Sequence, residues 1–125
     1  MANRPPPGSL KSTMEELHDR YLASLADRHG TLNRLWTRFK RNSEDLDAVH
    51  GIQDEAHRLA GTAGSYGFPD LGDLARAVDT PLRGELARPT PDAAFLARQC
   101  DQLLPALLDA LRRAVPDQDS AQALE

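Results

Sequence analysis

Apolar residues recur every three or four positions along most of the chain, which is the spacing of one face of an α-helix. The clearest series comprises Val49, Ile52, Ala56, Leu59 and Ala63. This series forms a narrow stripe of the kind that packs in helical bundles. Because no segment has the alternating pattern of a strand, we predict an all-α fold. The expected architecture is an antiparallel, up-and-down four-helix bundle with an additional N-terminal helix.

The first two predicted helices are divided by Gly30. The first begins at Ser12, which forms a capping box with Glu15, and it ends at about Arg28. The second begins at Thr31 as its N-cap. The inward-facing residues predicted for these two helices are Leu17, Tyr21, Leu25, Leu32, Leu35, Trp36 and Phe39.

Three more helices follow. The third starts near Ser43 or Asp45 and runs to about Ala63, and the fourth starts at Pro69. A connection rich in Pro and Gly is predicted from about residue 81 to 91. The last helix extends from about residue 92 to 115, with Pro105 inside it as a kink or a break. Residues 1–11 are predicted to be a disordered leader, 12–115 the bundle and 116–125 a flexible tail.

One histidine of the third helix falls outside the apolar stripe. On a helical wheel His57 lies about a third of a turn from the centre of the stripe, so its imidazole is expected to face solvent. The residues on the same side are polar or lack a side chain: His50, Gln53, Asp54, Gly61 and Gly64.

Gly61 is the unusual member of this group, because glycine inside a helix costs about 1 kcal/mol relative to alanine. Helical side chains lean toward the N-terminus, so the residue four positions after His57 would otherwise overhang its ring. With glycine at that position, and Gly64 one turn later, the ring is open to a partner's surface. Such access is what in-line attack on a phosphoryl group requires.

A neutral imidazole also has a nucleophilic nitrogen at cellular pH. We expect Gln53 or Asp54, one turn earlier, to accept a hydrogen bond from the other ring nitrogen of His57 and so to fix its tautomer.

Residues 56–68, AHRLAGTAGSYGF, resemble the signature of bacterial histidine phosphotransfer (HPt) domains. The resemblance implies a four-helix bundle that relays a phosphoryl group on His57 between receiver-domain aspartates and has no ATP-dependent kinase activity. The implied partners are receiver domains of a hybrid sensor kinase or of a response regulator. No cofactor is implied for this chain, since Mg²⁺ would come with the receiver.

The sequence departs from this family at one position. Many members have a lysine three residues after the histidine, whereas this chain has Ala60. Arg58 or Arg76 could supply the positive charge instead. Arg34 and Arg38 of the second helix, together with Arg76, are candidates for docking against the acidic mouth of a receiver.

Composition narrows the possible partners and location. The 125-residue chain has a net charge of -4, which argues against nucleic acid as the main partner. It has no long apolar run for a membrane span, and its single cysteine, Cys100, fits a reducing compartment. We therefore expect a cytoplasmic monomer with no membrane association.

Two other functions are compatible with the sequence. One is a metal site, because Glu15 and Asp54 each precede a histidine, His18 and His57 respectively, by three residues, as in di-metal bundles. The outward direction of His57 argues against it. The other is an adaptor that binds or sequesters a receiver domain without being phosphorylated.

Overall fold

The structure is a computed structural model, and it describes residues 8–115. Four α-helices occur in this range: α1 (Leu10–Arg41), α2 (Leu46–Thr62), α3 (Pro69–Leu86) and α4 (Ala93–Ala114). A short 3₁₀ helix, Ala63–Tyr66, follows α2. Each helix packs against the next, and α4 packs against α1, which closes the bundle. The predicted all-α helical bundle is confirmed. The tail at 116–125 and the leader up to residue 7 lie outside the described residues.

The core is formed by one stripe from each helix. The stripe predicted for α2 is confirmed, since Val49, Ile52, Ala56, Leu59 and Ala63 are all fully buried. Facing residues from the other helices that are also fully buried are Leu25, Leu32, Ala75, Val78, Leu82, Leu96, Cys100, Leu104, Leu107 and Leu111. Burial of this many aliphatic side chains is the main force that holds the four helices together.

The predicted division at Gly30 is wrong, because α1, which is 32 residues long in all, continues through this position. The additional N-terminal helix is therefore the first part of α1 rather than a separate element. Fully buried Leu25 and Leu32 lie on either side of Gly30, and their burial outweighs the cost of about 1 kcal/mol for a helical glycine. The N-cap is Ser9, whose hydroxyl accepts from the backbone N–H of Ser12, so α1 starts before the predicted capping box.

The predicted effects of two prolines also need correction. The helix α3 continues through Pro81 to Leu86, so the connection to α4 begins at Ala87 rather than at Pro81. Leu82 is fully buried, and its packing keeps this part of the chain helical. Pro105 does not break α4, so of the two effects predicted for it the break is wrong and the kink stays a prediction.

The remaining predicted helix starts agree with the structure. Asp45 is the N-cap of α2, and its side chain accepts from the backbone N–H of Ala48. Asp92 is the N-cap of α4. Pro69 occupies the first turn of α3, where a missing N–H has no cost. None of the helices between residues 8 and 115 is both long enough and apolar enough to cross a membrane.

Candidate functional site

His57 lies on the solvent side of α2, with 60% of its side chain exposed. Its neighbours on the helix, Ala56 and Leu59, are fully buried. The stripe that buries these residues turns His57 away from the core, as the helical wheel predicts. An imidazole in this position is accessible to another molecule while its backbone is fixed by the packing of α2.

The surface beyond His57 carries no side chains at two positions one turn apart. Both Gly61 and Gly64 are exposed, and a Cβ atom placed on either one would have no neighbouring atom within 4 Å. These glycines therefore leave open space rather than fill a tight contact between helices. A second protein can approach the backbone of α2 closely here, next to the ring of His57.

A carboxylate from α3 holds the inner nitrogen of His57. Nδ1 of His57 lies 2.9 Å from Oδ2 of Asp79, and this carboxylate is only 4% exposed. Its other oxygen, Oδ1, accepts a hydrogen bond of 2.7 Å from Nε2 of Gln53. An ionised carboxylate can only accept, so Nδ1 of His57 carries the hydrogen. In the neutral ring, Nε2 of His57 then has the free lone pair.

The environment of Asp79 favours its ionised form. Burial alone would raise the pKa of Asp79, because it removes the carboxylate from water. Hydrogen bonds from Gln53 and His57 and the positive charge of Arg83 outweigh burial, and the pKa lies below its ordinary value. The carboxylate is therefore charged at cellular pH, as the hydrogen on Nδ1 of His57 requires.

Two exposed arginines of α3, Arg76 and Arg83, lie one turn before and one turn after Asp79. Nη1 of Arg83 is 3.8 Å from Oδ2 of Asp79, the oxygen that also contacts His57. One turn before Asp79, Arg76 pairs with Asp73 at 3.2 Å, and its other terminal nitrogen is 3.5 Å from the carbonyl oxygen of Ala60. Two guanidinium groups therefore lie on the α3 side of His57, each beside a carboxylate of the same helix.

A match to a known family agrees with this site. The sequence matches the model of the Hpt domain family over residues 16–114, which is most of the chain. The chain belongs to the Hpt domain family. Hpt domains transfer phosphoryl groups on a histidine in phosphorelays, act as phosphocarriers rather than kinases, and generally interact with receiver domains. Among curated proteins and solved structures, none matches this chain significantly.

The structure corrects the predicted partner of His57. Gln53 and Asp54 were expected to accept the hydrogen bond from the ring, but Asp79 accepts it. Gln53 takes part indirectly, by donating to Asp79. Asp54 is exposed on the outer side of α2. A wheel drawn for one helix cannot show a contact from the next helix, and for this reason α2 alone suggested the wrong residue.

The sequence did contain a signal for Asp79. In α3 it lies four residues after Ala75 and three before Leu82, both fully buried, so it belongs to the apolar stripe of that helix. Glu85 is a second example: it is buried and accepts from the backbone N–H of Asp92 and from Arg88.

The other predicted site residues of this Hpt domain are Arg58 and Ala60, which are close to His57 in the chain, and the docking candidate Arg38, which is on α1. Arg58 is exposed and is 3.9 Å from Glu55, and half-buried Ala60 contributes its carbonyl oxygen to the contact with Arg76. Arg38 of α1 pairs with Asp45 at 3.1 Å. Asp45 is the N-cap of α2, twelve residues before His57. Arg38 therefore lies about 18 Å from His57 along the axis of α2.

The remaining docking candidate on α1 is Arg34, which donates to the hydroxyl of Thr31. Docking through Arg34, Arg38 and Arg76 remains a prediction. Within residues 8–115, no group of three or more His, Cys, Asp or Glu side chains is placed to share a metal ion.

Proposed function

We propose that this Hpt domain accepts a phosphoryl group on Nε2 of His57 from the aspartate of one receiver domain and passes it to another. The observation that carries the proposal is the pairing of an exposed imidazole with a buried carboxylate, at 2.9 Å between Nδ1 of His57 and Oδ2 of Asp79. This arrangement directs the reactive lone pair outward. It resembles the way in which a carboxylate orients the histidine of a catalytic triad.

In the proposed transfer, the lone pair of Nε2 attacks the phosphorus atom of the aspartyl phosphate. A nitrogen–phosphorus bond forms as the bond between phosphorus and the aspartyl oxygen breaks, and the receiver's aspartate leaves as a carboxylate. The hydrogen stays on Nδ1, so the ring of His57 becomes positively charged. Asp79 lies against this hydrogen and stabilises the charge that develops on the ring.

The same contact serves the reverse transfer. When the phosphoryl group moves on to a second aspartate, the electrons of the nitrogen–phosphorus bond return to Nε2 and the ring becomes neutral. A positively charged ring separates from phosphorus more readily than a neutral one, because it departs as a neutral imidazole rather than as an anion. By keeping the hydrogen on Nδ1, Asp79 holds the phosphorylated ring in that form.

The proposed partners are receiver domains of a hybrid sensor kinase or of a response regulator, and they bring the Mg²⁺ that assists the transfer. The open backbone at Gly61 and Gly64 supports close approach of such a domain to His57. Arginines on α1 and α3, including Arg34 and Arg76, would meet the acidic residues around the receiver's aspartate. We expect the protein to act as a cytoplasmic monomer.

Transfer of label from a phosphorylated receiver tests the proposal. The wild-type protein and a His57→Gln variant are incubated with the receiver, and the label is mapped and tested for stability to acid and alkali. His50→Gln is the matched control, because His50 is an exposed histidine on the same helix. We expect acid-labile, alkali-stable label in the wild type and in His50→Gln. Label of equal amount in His57→Gln would refute the proposal. Incubation with ATP alone should give no label.

A further inference from the structure

The register between α2 and α3 determines which arginine lies nearest the ring of His57. The two helices run antiparallel, with His57 level with Asp79 and Ala60 level with Arg76. One turn toward the N-terminus of α2, which is one turn toward the C-terminus of α3, Gln53 lies level with Arg83. Gln53 and Arg83 both contact the carboxylate of Asp79, which agrees with this register. The ring therefore lies between two arginines of α3, one turn away on either side.

The direction in which side chains lean distinguishes these two arginines. Helical side chains lean toward the N-terminus of their own helix. In α2 this brings the ring of His57 toward the level of Gln53, and in α3 it brings Arg83 toward the level of Asp79. The side chains of His57 and Arg83 therefore converge. Arg76 also leans toward the N-terminus of α3, but this direction takes it away from His57 and toward Asp73, with which it pairs at 3.2 Å.

The two arginines also differ in the hydrogen bonds that their guanidinium groups donate. Arg76 donates to Asp73 and to the carbonyl oxygen of Ala60. The 3.8 Å between Nη1 of Arg83 and Oδ2 of Asp79 is too long for a hydrogen bond, so this contact is purely electrostatic. The side chain of Arg83 is 56% exposed, and a planar guanidinium matches the oxygens of a phosphoryl group.

We propose that Arg83, rather than Arg58 or Arg76, binds the phosphoryl group once it is attached to His57. This inference rests on the proposed function, because it requires phosphorylation of that ring. In the unphosphorylated protein, Arg83 is positioned by the charge of Asp79. When the phosphoryl group is present, its two negative charges compete with that carboxylate, and the guanidinium moves outward to donate to its oxygens.

The experiment measures the equilibrium between the phosphorylated receiver and the phosphorylated Hpt domain. Arg83→Met should lower the phosphorylated fraction of His57 about fivefold, which corresponds to the loss of one well-placed but partly exposed charge pair. Arg83→Lys should retain most of it. Arg58→Met, on α2, and Arg98→Met, at an exposed position on α4, are the matched controls and should stay within about twofold of the wild type. An equal or larger loss in either control would overturn the inference.

Phosphorus NMR gives a second measurement that a merely structural role would not change. A neighbouring guanidinium favours the doubly charged phosphoryl group, so Arg83→Met should move the pH midpoint of its phosphorus resonance upward. Arg76→Met should leave the midpoint in place. The effect of Arg83→Met should also persist when Asp79 is replaced by Asn. If it disappears in that background, Arg83 acts only through Asp79 and the inference is wrong.

The outcomes also separate this inference from the proposed function. If the wild type takes no label on His57, the proposed function fails and this inference fails with it. If label appears on His57 and is lost in His57→Gln, but Arg83→Met behaves as the wild type, the proposed function stands and only the role of Arg83 is overturned.

Discussion

Oδ2 of Asp79 accepts a hydrogen bond from Nδ1 of His57 at 2.9 Å, although the two residues are 22 positions apart and lie on different helices. Asp79→Asn keeps an oxygen that can accept this bond but removes the charge. We expect phosphoryl transfer to His57 to slow by about tenfold, because a charge-assisted hydrogen bond is roughly twice as strong as a neutral one. Rates of label transfer measure this effect. Asp101→Asn, at an exposed position on α4, is the control, and equal rates in the two variants would contradict the role of Asp79.

The same carboxylate makes stability depend on pH. The pKa of Asp79 is below its ordinary value in the folded protein, so its contribution to stability is present above the pKa of an unfolded aspartate, about 4, and is lost as the pH falls through the folded value. The wild type should therefore lose more free energy of unfolding than Asp79→Asn between about pH 5 and pH 2. Urea denaturation at each pH measures both proteins. Parallel curves would show that Asp79 does not carry this dependence.

Gly61, in the last turn of α2, and Gly67, after the 3₁₀ helix, should respond with opposite signs to substitution by alanine. A Cβ on Gly61 would meet nothing within 4 Å, so Gly61→Ala should stabilise the protein by up to about 1 kcal/mol through helix propensity. Gly67 follows the 3₁₀ helix with φ of 92°, and Gly67→Ala should destabilise by about 1–2 kcal/mol because L-residues disfavour this conformation. Thermal unfolding measures both. Effects of the same sign would contradict this explanation.

Access to the ring should decrease as the side chain at position 61 grows. Gly61→Ala and Gly61→Leu are expected to fold, because the site opens to solvent, but transfer from a receiver should fall in that order. Small phosphodonors such as acetyl phosphate provide the control, since they do not need a protein surface to approach α2. A loss with the receiver alone would place the obstruction at the docking surface. Undiminished transfer in Gly61→Leu would show that this glycine is not required for access.

Cys100 should be inert in the folded protein. Its thiol is fully buried in α4, and burial, with a smaller contribution from Asp101, raises its pKa to about 12. A thiol-specific reagent at neutral pH should therefore react only as molecules open, at a rate that rises with urea. Ser65→Cys in a Cys100→Ala background is the exposed control and should react at once. Rapid reaction of Cys100 without denaturant would contradict the burial of its thiol.

Features that depend on one helix were predictable from the sequence. The stripe of α2, its start near Ser43 or Asp45 and the exposure of His57 all follow from residues close together in the chain, and Asp45 is the N-cap. Glycine and proline were less reliable guides, because their cost in a helix is a few kcal/mol at most and the burial of neighbouring side chains can exceed it. This explains why α1 continues through Gly30 and α3 through Pro81.

Contacts between helices could not be predicted in the same way. The position of Asp79 in the stripe of α3 was visible, but its pairing with His57 requires the register of α3 against α2, which no local pattern specifies. The charges beside the ring show the same limit. Arg76 and Arg83 are both exposed arginines of α3, and only their contacts with Ala60 and Asp79 distinguish them.

The antiparallel docking of α3 on α2 has a consequence during synthesis and folding. A chain that has emerged only as far as Gly67 already contains the imidazole, but α3, which begins at Pro69, has not yet been made. Until α3 is made and packed, nothing fixes the tautomer of that ring. Under the proposed function, immature or partly unfolded copies lack the contact with Asp79, and we expect them to be poorer acceptors than the folded protein.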